Sequence, residues 1–224
     1  MYTGHLALGV ALKSKFHRVP AIPIIFGSAL LDILDGIFIA SGIDRVKPNP
    51  KSGPYLFTDL TFVDWDHSML MATIWSLVWG AVFKKNKKDS ILAALAVFSH
   101  FLIDVPVHNK DLAIYPYSRM RIGWGWWGSL GAFSWILEGV FCAVLLAYAW
   151  RETAKRGVSL LWPVVLIAVL FLQLSPWLSP LKFVGGIRKP YIHRLIGALT
   201  TIGFLAPCLL LTLLINRAER APSI

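Results

Sequence analysis

Charged residues are scarce in this chain of 224 residues: only 15% of them are Asp, Glu, Lys or Arg, whereas 56% are hydrophobic. A soluble domain of average composition has about 25% charged and about 45–50% apolar residues. So few charges cannot cover the surface of a water-soluble globule of this size. The composition therefore excludes an ordinary cytosolic enzyme and a disordered protein, and it predicts one integral membrane domain over residues 1–224.

Cysteine is also scarce, which excludes a disulfide scaffold. The two cysteines, Cys142 and Cys208, both lie within apolar stretches, where they are expected to act as small buried hydrophobic residues. Residues 1–18 lack a small-residue cleavage site after a long apolar core, so no signal peptide is predicted.

Long apolar runs are the main feature of the sequence. About 20 mostly apolar residues are needed to cross the roughly 30 Å of hydrocarbon in a bilayer. The runs predict an all-α bundle of about six transmembrane helices, because isolated strands cannot satisfy their backbone in lipid. The predicted spans are residues 20–43, 67–83, 90–107, 129–150, 158–178 and 193–215. A further stretch, Tyr2–Leu12, is too short to span and is predicted to be a re-entrant or interfacial helix.

Basic residues outnumber acidic ones, with a net charge of +10, and they lie in short clusters between the apolar runs. Such clusters orient membrane proteins and meet anionic lipid headgroups, so they favour membrane lipid rather than nucleic acid as the partner. The basic segment Lys84–Lys88 is predicted to be cytoplasmic. The long loops 44–66 and 108–128, predicted to be irregular, then lie on the outer face of what we expect to be a bacterial inner (plasma) membrane.

Ionisable side chains interrupt the apolar runs. An acid at the middle of a membrane costs about 2.5–3.5 kcal/mol on insertion scales unless it is paired, and the apolar interiors contain no Lys or Arg to pair with. A divalent metal ion is the simplest partner, with zinc favoured and manganese or iron as alternatives. The predicted metal ligands are His5, Asp32, Asp35, His67, His100 and Asp104.

The spacing of these residues supports a metal site. Asp32 and Asp35 are three residues apart and His100 and Asp104 four apart, so each pair shares one face of a helix. His5 can join them only if the N-terminal segment re-enters the membrane. Other acids are expected to have ordinary roles: Asp44, Asp59 and Asp89 as solvated loop charges, and Asp66 as the N-cap of the second span.

Four short motifs carry the histidines. They read Thr3-Gly4-His5, Leu31-Asp32-Ile33-Leu34-Asp35, Asp66-His67-Ser68 and Ser99-His100 followed by Asp104. This pattern resembles, over about residues 1–140, the membrane-bound metal-dependent hydrolase family (the YdjM-like, LexA-binding inner-membrane hydrolases). It departs from the family in the Gly between Thr3 and His5 and in Asp66, which replaces a Thr. The resemblance implies metal binding and hydrolysis.

The leading hypothesis is therefore a metal-dependent hydrolase. One or two ions would be held by His67, His100, Asp104 and Asp32 or Asp35, and a metal-bound water would attack a phosphoester or carbonyl. Glu138 or Asp66 would act as general base. Arg119 and Arg121, with His108, would bind a small or lipid-linked phosphoester in the outer half of the membrane.

Two other kinds of protein stay open. Intramembrane Asp, Glu and His also mark pathways for metal ions or protons, so a transporter is possible, although no inverted repeat is visible. Buried polar groups can also fix only the register of helices in a non-catalytic membrane scaffold. An acid-phosphatase-type enzyme is disfavoured, because the chain lacks a Pro-Ser-Gly-His motif.

Overall fold

The computed structural model describes residues 1–49, 51–52, 54–184 and 191–220. The described chain is mainly helical, with one small two-stranded sheet. Its elements are α1 (Tyr2–Lys15), α2 (Ala21–Ile25), a 3-10 turn (Gly27–Ala29), α3 (Leu30–Ser41), β1 (Arg45–Pro48), β2 (Thr58–Phe62), α4 (Asp64–His67), α5 (Met69–Val82), α6 (Lys87–Asp104), α7 (Trp126–Leu130), α8 (Ala132–Ala154), α9 (Leu161–Gln173), α10 (Leu181–Val184) and α11 (Ile192–Arg220).

Three helical segments among the described residues are long and apolar enough to cross a membrane, judged by length and composition. They are Ala21–Ser41, Ala132–Ala154 and Ile192–Arg220. The helices α5 and α9 have 14 and 13 residues, or about 20 Å each, which is shorter than the roughly 30 Å of bilayer hydrocarbon. The structure is thus compatible with a membrane protein, but the helix lengths do not establish six crossings.

Helix α1 lies at the centre of the bundle. Leu6, Ala7 and Val10 are completely buried, and α1 packs against α8, α2 and α9. An interfacial helix would leave one face in contact with water or headgroups, so that alternative for the N-terminal segment is wrong. Even Lys13 is buried, and its Nζ donates to Glu219 at 2.7 Å, which joins the end of α1 to α11.

Helices α3 and α11 approach each other closely through small residues. A side chain added at Gly36 or Gly197 would collide with the facing backbone. Such contacts are typical of helix pairs in membranes, where packing rather than water exclusion drives association. Helix α3 ends at Gly42, whose φ of +81° suits glycine and directs its N–H back to the last turn.

A short β-hairpin lies in the loop that was expected to be irregular. Strands β1 and β2 pair antiparallel, with Val46 opposite Leu60. Val46 packs with Ile39 of α3 and Ile196 of α11, so the hairpin covers one end of that helix pair. Within this loop, residues 50 and 53 lie outside the described ones.

We predict that Leu6→Ala lowers the free energy of unfolding by about 2–5 kcal/mol, because it leaves a cavity in the centre of the bundle. The measurement is the unfolding midpoint and slope in a detergent–denaturant titration. Leu209→Ala, at a side chain that is 50% exposed on α11, is the control and should cost far less. Equal losses in the two variants would contradict the central position of α1.

Candidate metal centre

Histidine and aspartate side chains from four segments meet beside α1. His5 comes from α1, Asp32 from α3, His67 from the short helix α4, and His100 and Asp104 from α6. Nε2 of His5 lies 3.1 Å from Asp104 Oδ1 and 3.7 Å from Asp32 Oδ2. Nε2 of His67 lies 3.5 Å from Asp32 Oδ1. The structure thus brings together residues that are far apart in the sequence.

Helix α6 supplies a row of three side chains, spaced four residues apart. The N–H of His108 donates to the carbonyl of Asp104 at 2.9 Å, so helical geometry continues beyond the end of α6. Asp104 Oδ2 lies 3.1 Å from His100 Nε2 and 3.7 Å from the Nε2 atoms of both His67 and His108. The completely buried Asp104 is therefore at the centre of the cluster.

In three of the histidines, the ring nitrogen that points away from the cluster lies near an acceptor oxygen. His100 Nδ1 lies 2.8 Å from the carbonyl oxygen of Ser28, which can only accept, so Nδ1 carries the hydrogen and the Nε2 lone pair faces the cluster. His67 Nδ1 lies 3.0 Å from Asp66 Oδ2, and His108 Nδ1 lies 3.2 Å from Asp111 Oδ1. Metal-binding histidines typically have such a partner on their other nitrogen.

The distances within the cluster suit a bound cation. Tetrahedral zinc, with bonds of about 2.0–2.2 Å, sets its ligand atoms about 3.3–3.6 Å apart. His100 Nε2 lies 3.4 Å from His67 Nε2 and 3.6 Å from Asp32 Oδ2. Oδ2 of both Asp32 and Asp104 is buried without a hydrogen-bond partner among the described residues. The groups that could hold a metal ion are His5/His100/Asp104, Asp32/His67/His100, His67/Asp104/His108 and Asp35/Asp66/His67.

Carboxylates extend the cluster toward the hairpin. Asp44, which was expected to be a solvated loop charge, is instead 1% exposed. Burial, followed by the nearby charge of Asp66, raises the pKa of Asp44 to about 8. This shift favours the neutral form of Asp44 beside Asp66, whose Oδ1 accepts from the N–H of His67 at 2.9 Å. Sequence position alone gave no sign of this chain of contacts.

One side of the cluster is accessible. A cavity of about 400 Å³ borders Asp32, Asp35, His67 and His108. His5, His100 and Asp104 are completely buried behind them. A small molecule in the cavity would therefore meet the first four side chains.

Glu138, which was predicted to be a catalytic base, instead contacts the start of α1. Its Oε1 accepts from the N–H of Thr3 at 2.7 Å and of Gly4 at 3.1 Å, and from Thr3 Oγ1 at 2.8 Å. Its Oε2 accepts from the hydroxyl of Tyr55 at 2.6 Å. Within the described residues its carboxylate bonds only to these groups. Glu138 thus anchors the first turn of α1, where a negative charge is favoured by the helix dipole.

Neither predicted phosphate-binding arginine reaches the cluster. Arg121 donates to Asp64 at 2.6 Å and to the carbonyl of Asp111 at 2.9 Å, which stabilises the loop after α6. Arg119 is exposed, and neither arginine is among the described residues that border the cavity. The structure thus does not bring either arginine to the cavity, and their predicted role in binding substrate stays a prediction.

Two other predicted roles change. His108, expected to bind substrate, lies among the possible metal ligands. Asp66 does not cap the second span, because Ser68 caps α5 by accepting from the N–H of Met71. Asp66 orients His67 and does not border the cavity in the described chain, which disfavours it as a base.

Some functional partners were missed by sequence reasoning. His108 and Asp111 lie in the loop after α6, so their three-residue spacing gave no helical signal for the contact at 3.2 Å. Tyr55 and the Ser28 carbonyl carry no such signal, because only the tertiary structure brings them to Glu138 and His100.

Comparisons with protein families, with curated proteins and with solved structures give no match to this chain. The resemblance to the YdjM-like hydrolases therefore stays a prediction from motifs. The argument for function depends on the geometry of the cluster.

We predict that Glu138→Gln lowers the free energy of unfolding by about 1.5–3 kcal/mol, because it removes a charged acceptor from the first turn of α1. Thermal unfolding in detergent measures this. Glu152→Gln, on the same helix and with its side chain 28% exposed, is the control and should change stability by less than about 0.5 kcal/mol. Unchanged stability of Glu138→Gln would refute the anchoring role.

Proposed function

We propose that this protein is a membrane hydrolase that depends on a divalent metal ion, with zinc as the favoured ion. One observation carries the proposal: imidazole Nε2 atoms and unpartnered carboxylate oxygens converge, while the far nitrogens of His100 and His108 face acceptors and that of His67 lies 3.0 Å from Asp66 Oδ2. The α-ammonium group of Met1 donates to Asp104 Oδ1 and lies 3.0 Å from His5 Nε2, so a metal ion would be held on the other side of the cluster, by Asp32, His67 and His100. Mixed imidazole and carboxylate ligands suit zinc, with manganese or iron as alternatives.

The ligand set has room for one or two ions. His5 lies at Oδ1 of Asp104, whereas His67, His100 and His108 share its Oδ2. A carboxylate placed in this way can bridge two ions. A divalent ion in such a site lowers the pKa of bound water toward about 7 and polarises a phosphoryl or carbonyl oxygen.

The residues that border the cavity supply the rest of the chemistry. In hydrolysis of a phosphoester, the oxygen of water bonds to phosphorus, the bond to the ester oxygen breaks, and one proton moves to the leaving oxygen. Asp35 borders the cavity, and its Oδ1 has no hydrogen-bond partner among the described residues. Asp35 is therefore the group we assign as the proton acceptor, in place of Glu138 and Asp66.

We also propose six membrane crossings, in a bacterial inner membrane. The shorter helices α5, α6 and α9 support this, because each has large apolar side chains on its outer face. Leu77 is 66% exposed, Leu95 54% and Leu172 55%. A soluble protein rarely exposes such continuous apolar surface, whereas lipid covers it without cost.

A transporter is less well supported. A pathway needs polar groups through the whole depth of the membrane. Beyond the cluster, Val10 of α1 and Ile25 of α2 are apolar and completely buried. A scaffold would make the same contacts but would not require metal.

We expect the purified wild-type protein to contain close to one or two equivalents of zinc, manganese or iron by elemental analysis. His100→Ala and Asp104→Asn should lose most of this metal, because each removes a central ligand. His193→Ala, at an exposed histidine of α11, is the control and should keep it. A wild-type protein that stays free of metal after incubation with each ion would refute the proposal.

Turnover separates a hydrolase from a structural metal site. Asp35→Asn should keep the metal held by the three ligand groups that do not include Asp35, but it should hydrolyse a phosphoester at least about 100-fold more slowly, as expected when a general base is removed. Metal-loaded wild-type protein that hydrolyses neither soluble nor lipid-linked phosphoesters would favour a scaffold.

Cysteine labelling tests whether α6 crosses the membrane. Lys85 precedes α6 in the sequence and Tyr115 follows it, and both side chains are exposed. The native cysteines, Cys142 and Cys208, are buried. In intact cells, a membrane-impermeant maleimide should label Tyr115→Cys and not Lys85→Cys. Labelling of both variants, or of neither, before the cells are opened would contradict the crossing.

A further inference from the structure

The cavity at the cluster continues as a long cleft between α9 and α11. Along α11 it is bordered from Ile196 to Leu210, which corresponds to about 21 Å of helix. Leu166 and Leu170 of α9 form part of the opposite wall. The cleft is thus longer than half of the roughly 30 Å hydrocarbon core of a bilayer.

The lining of the cleft is unequal in polarity. The ionisable side chains Asp32, Asp35, His67 and His108 lie together at the cluster. The walls away from it are mostly Leu, Ile, Phe, Ala and Pro. A water-soluble substrate would gain nothing from such walls, whereas a hydrocarbon chain would gain about 0.8 kcal/mol for each methylene that it buries.

The wall of α11 is specifically adapted beside the cluster. Pro207 lies within the helix and has no N–H to donate to the carbonyl of Gly203, four residues earlier. The hydroxyl of Tyr2 takes this place, donating to the Gly203 carbonyl at 2.6 Å. Tyr2, Gly203 and Pro207 all border the cleft. The Tyr2 hydroxyl therefore lets Gly and Pro line the cleft while the Gly203 carbonyl keeps a hydrogen-bond donor.

We propose that the cleft binds the hydrocarbon chain of an amphiphilic substrate drawn from the bilayer, with the substrate's anionic phosphoester head at Asp32, Asp35, His67 and His108. This inference rests on the proposed function for the identity of the head. The position of the chain rests only on the shape and lining of the cleft. An acyl or prenyl chain fits it equally, since both are apolar and flexible.

Photo-crosslinking tests the position of the chain without requiring turnover. The probe is hexadecyl phosphate with a diazirine near the end of its chain, added to metal-loaded protein in lipid nanodiscs. We expect crosslinks within residues 166–174 and 199–210. Unlabelled hexadecyl phosphate should compete for them at least about tenfold better than butyl phosphate does.

A pair of neighbouring leucines provides the matched control. Leu210 and Leu209 are 48% and 50% exposed, but only Leu210 borders the cleft among these two. Leu210→Trp should lower crosslinking at least about fivefold, and Leu209→Trp should leave it unchanged. Leu170→Trp, in the opposite wall, should act like Leu210→Trp and serves if the latter does not fold.

Crosslinks spread evenly over lipid-facing residues such as Leu209 and Leu213, or equal effects of the two α11 variants, would overturn the inference. The metal content of the same samples separates this result from the proposed function. Specific crosslinking in a protein that binds no metal would support the cleft and refute the hydrolase. Metal-dependent hydrolysis of butyl and hexadecyl phosphoesters at equal rates, without specific crosslinks, would do the reverse.

Discussion

The burial of Asp104 is the constraint on which the rest of the site depends. A carboxylate with no access to water must be surrounded by positive charge or by donors, or the helix that carries it will not remain in an apolar bundle. The α-ammonium group of Met1 donates to Asp104, and imidazoles from three helices surround it, so the contacts of one carboxylate fix α1, α4 and α6 relative to one another. Stability and ligand geometry are therefore set by the same contacts.

A second buried carboxylate serves a different purpose. Glu138 accepts from backbone groups at the start of α1 and from Tyr55, and it thereby fixes the depth of that helix. His5 follows one residue after Gly4, so the position of this ligand is determined from α8. Two acids of similar burial thus differ in role, because one faces imidazoles and the other faces a helix N-terminus.

The spacing of histidines and aspartates along the sequence made part of the metal centre predictable. His100 and Asp104, like Asp32 and Asp35, share a helix face by their spacing alone, and the lack of intramembrane Lys or Arg pointed to a cation. The helical class followed from the apolar runs. The burial of Asp44, the pairing of Arg121 with Asp64 and the anchoring role of Glu138 could not be predicted, because each depends on which loop folds over which helix. The lengths of α5 and α9 could not be predicted either, since apolarity does not show where a helix ends.

The contacts of α1 have a consequence for biosynthesis. Its ends are held by groups from the second half of the chain: Glu138 at the first turn, and Glu219 at Lys13. A ribosome makes these partners only after α1 and the histidines of α6 have already emerged. The contacts that fix α1, and with it His5, can therefore form only after α8 and α11 have been synthesised.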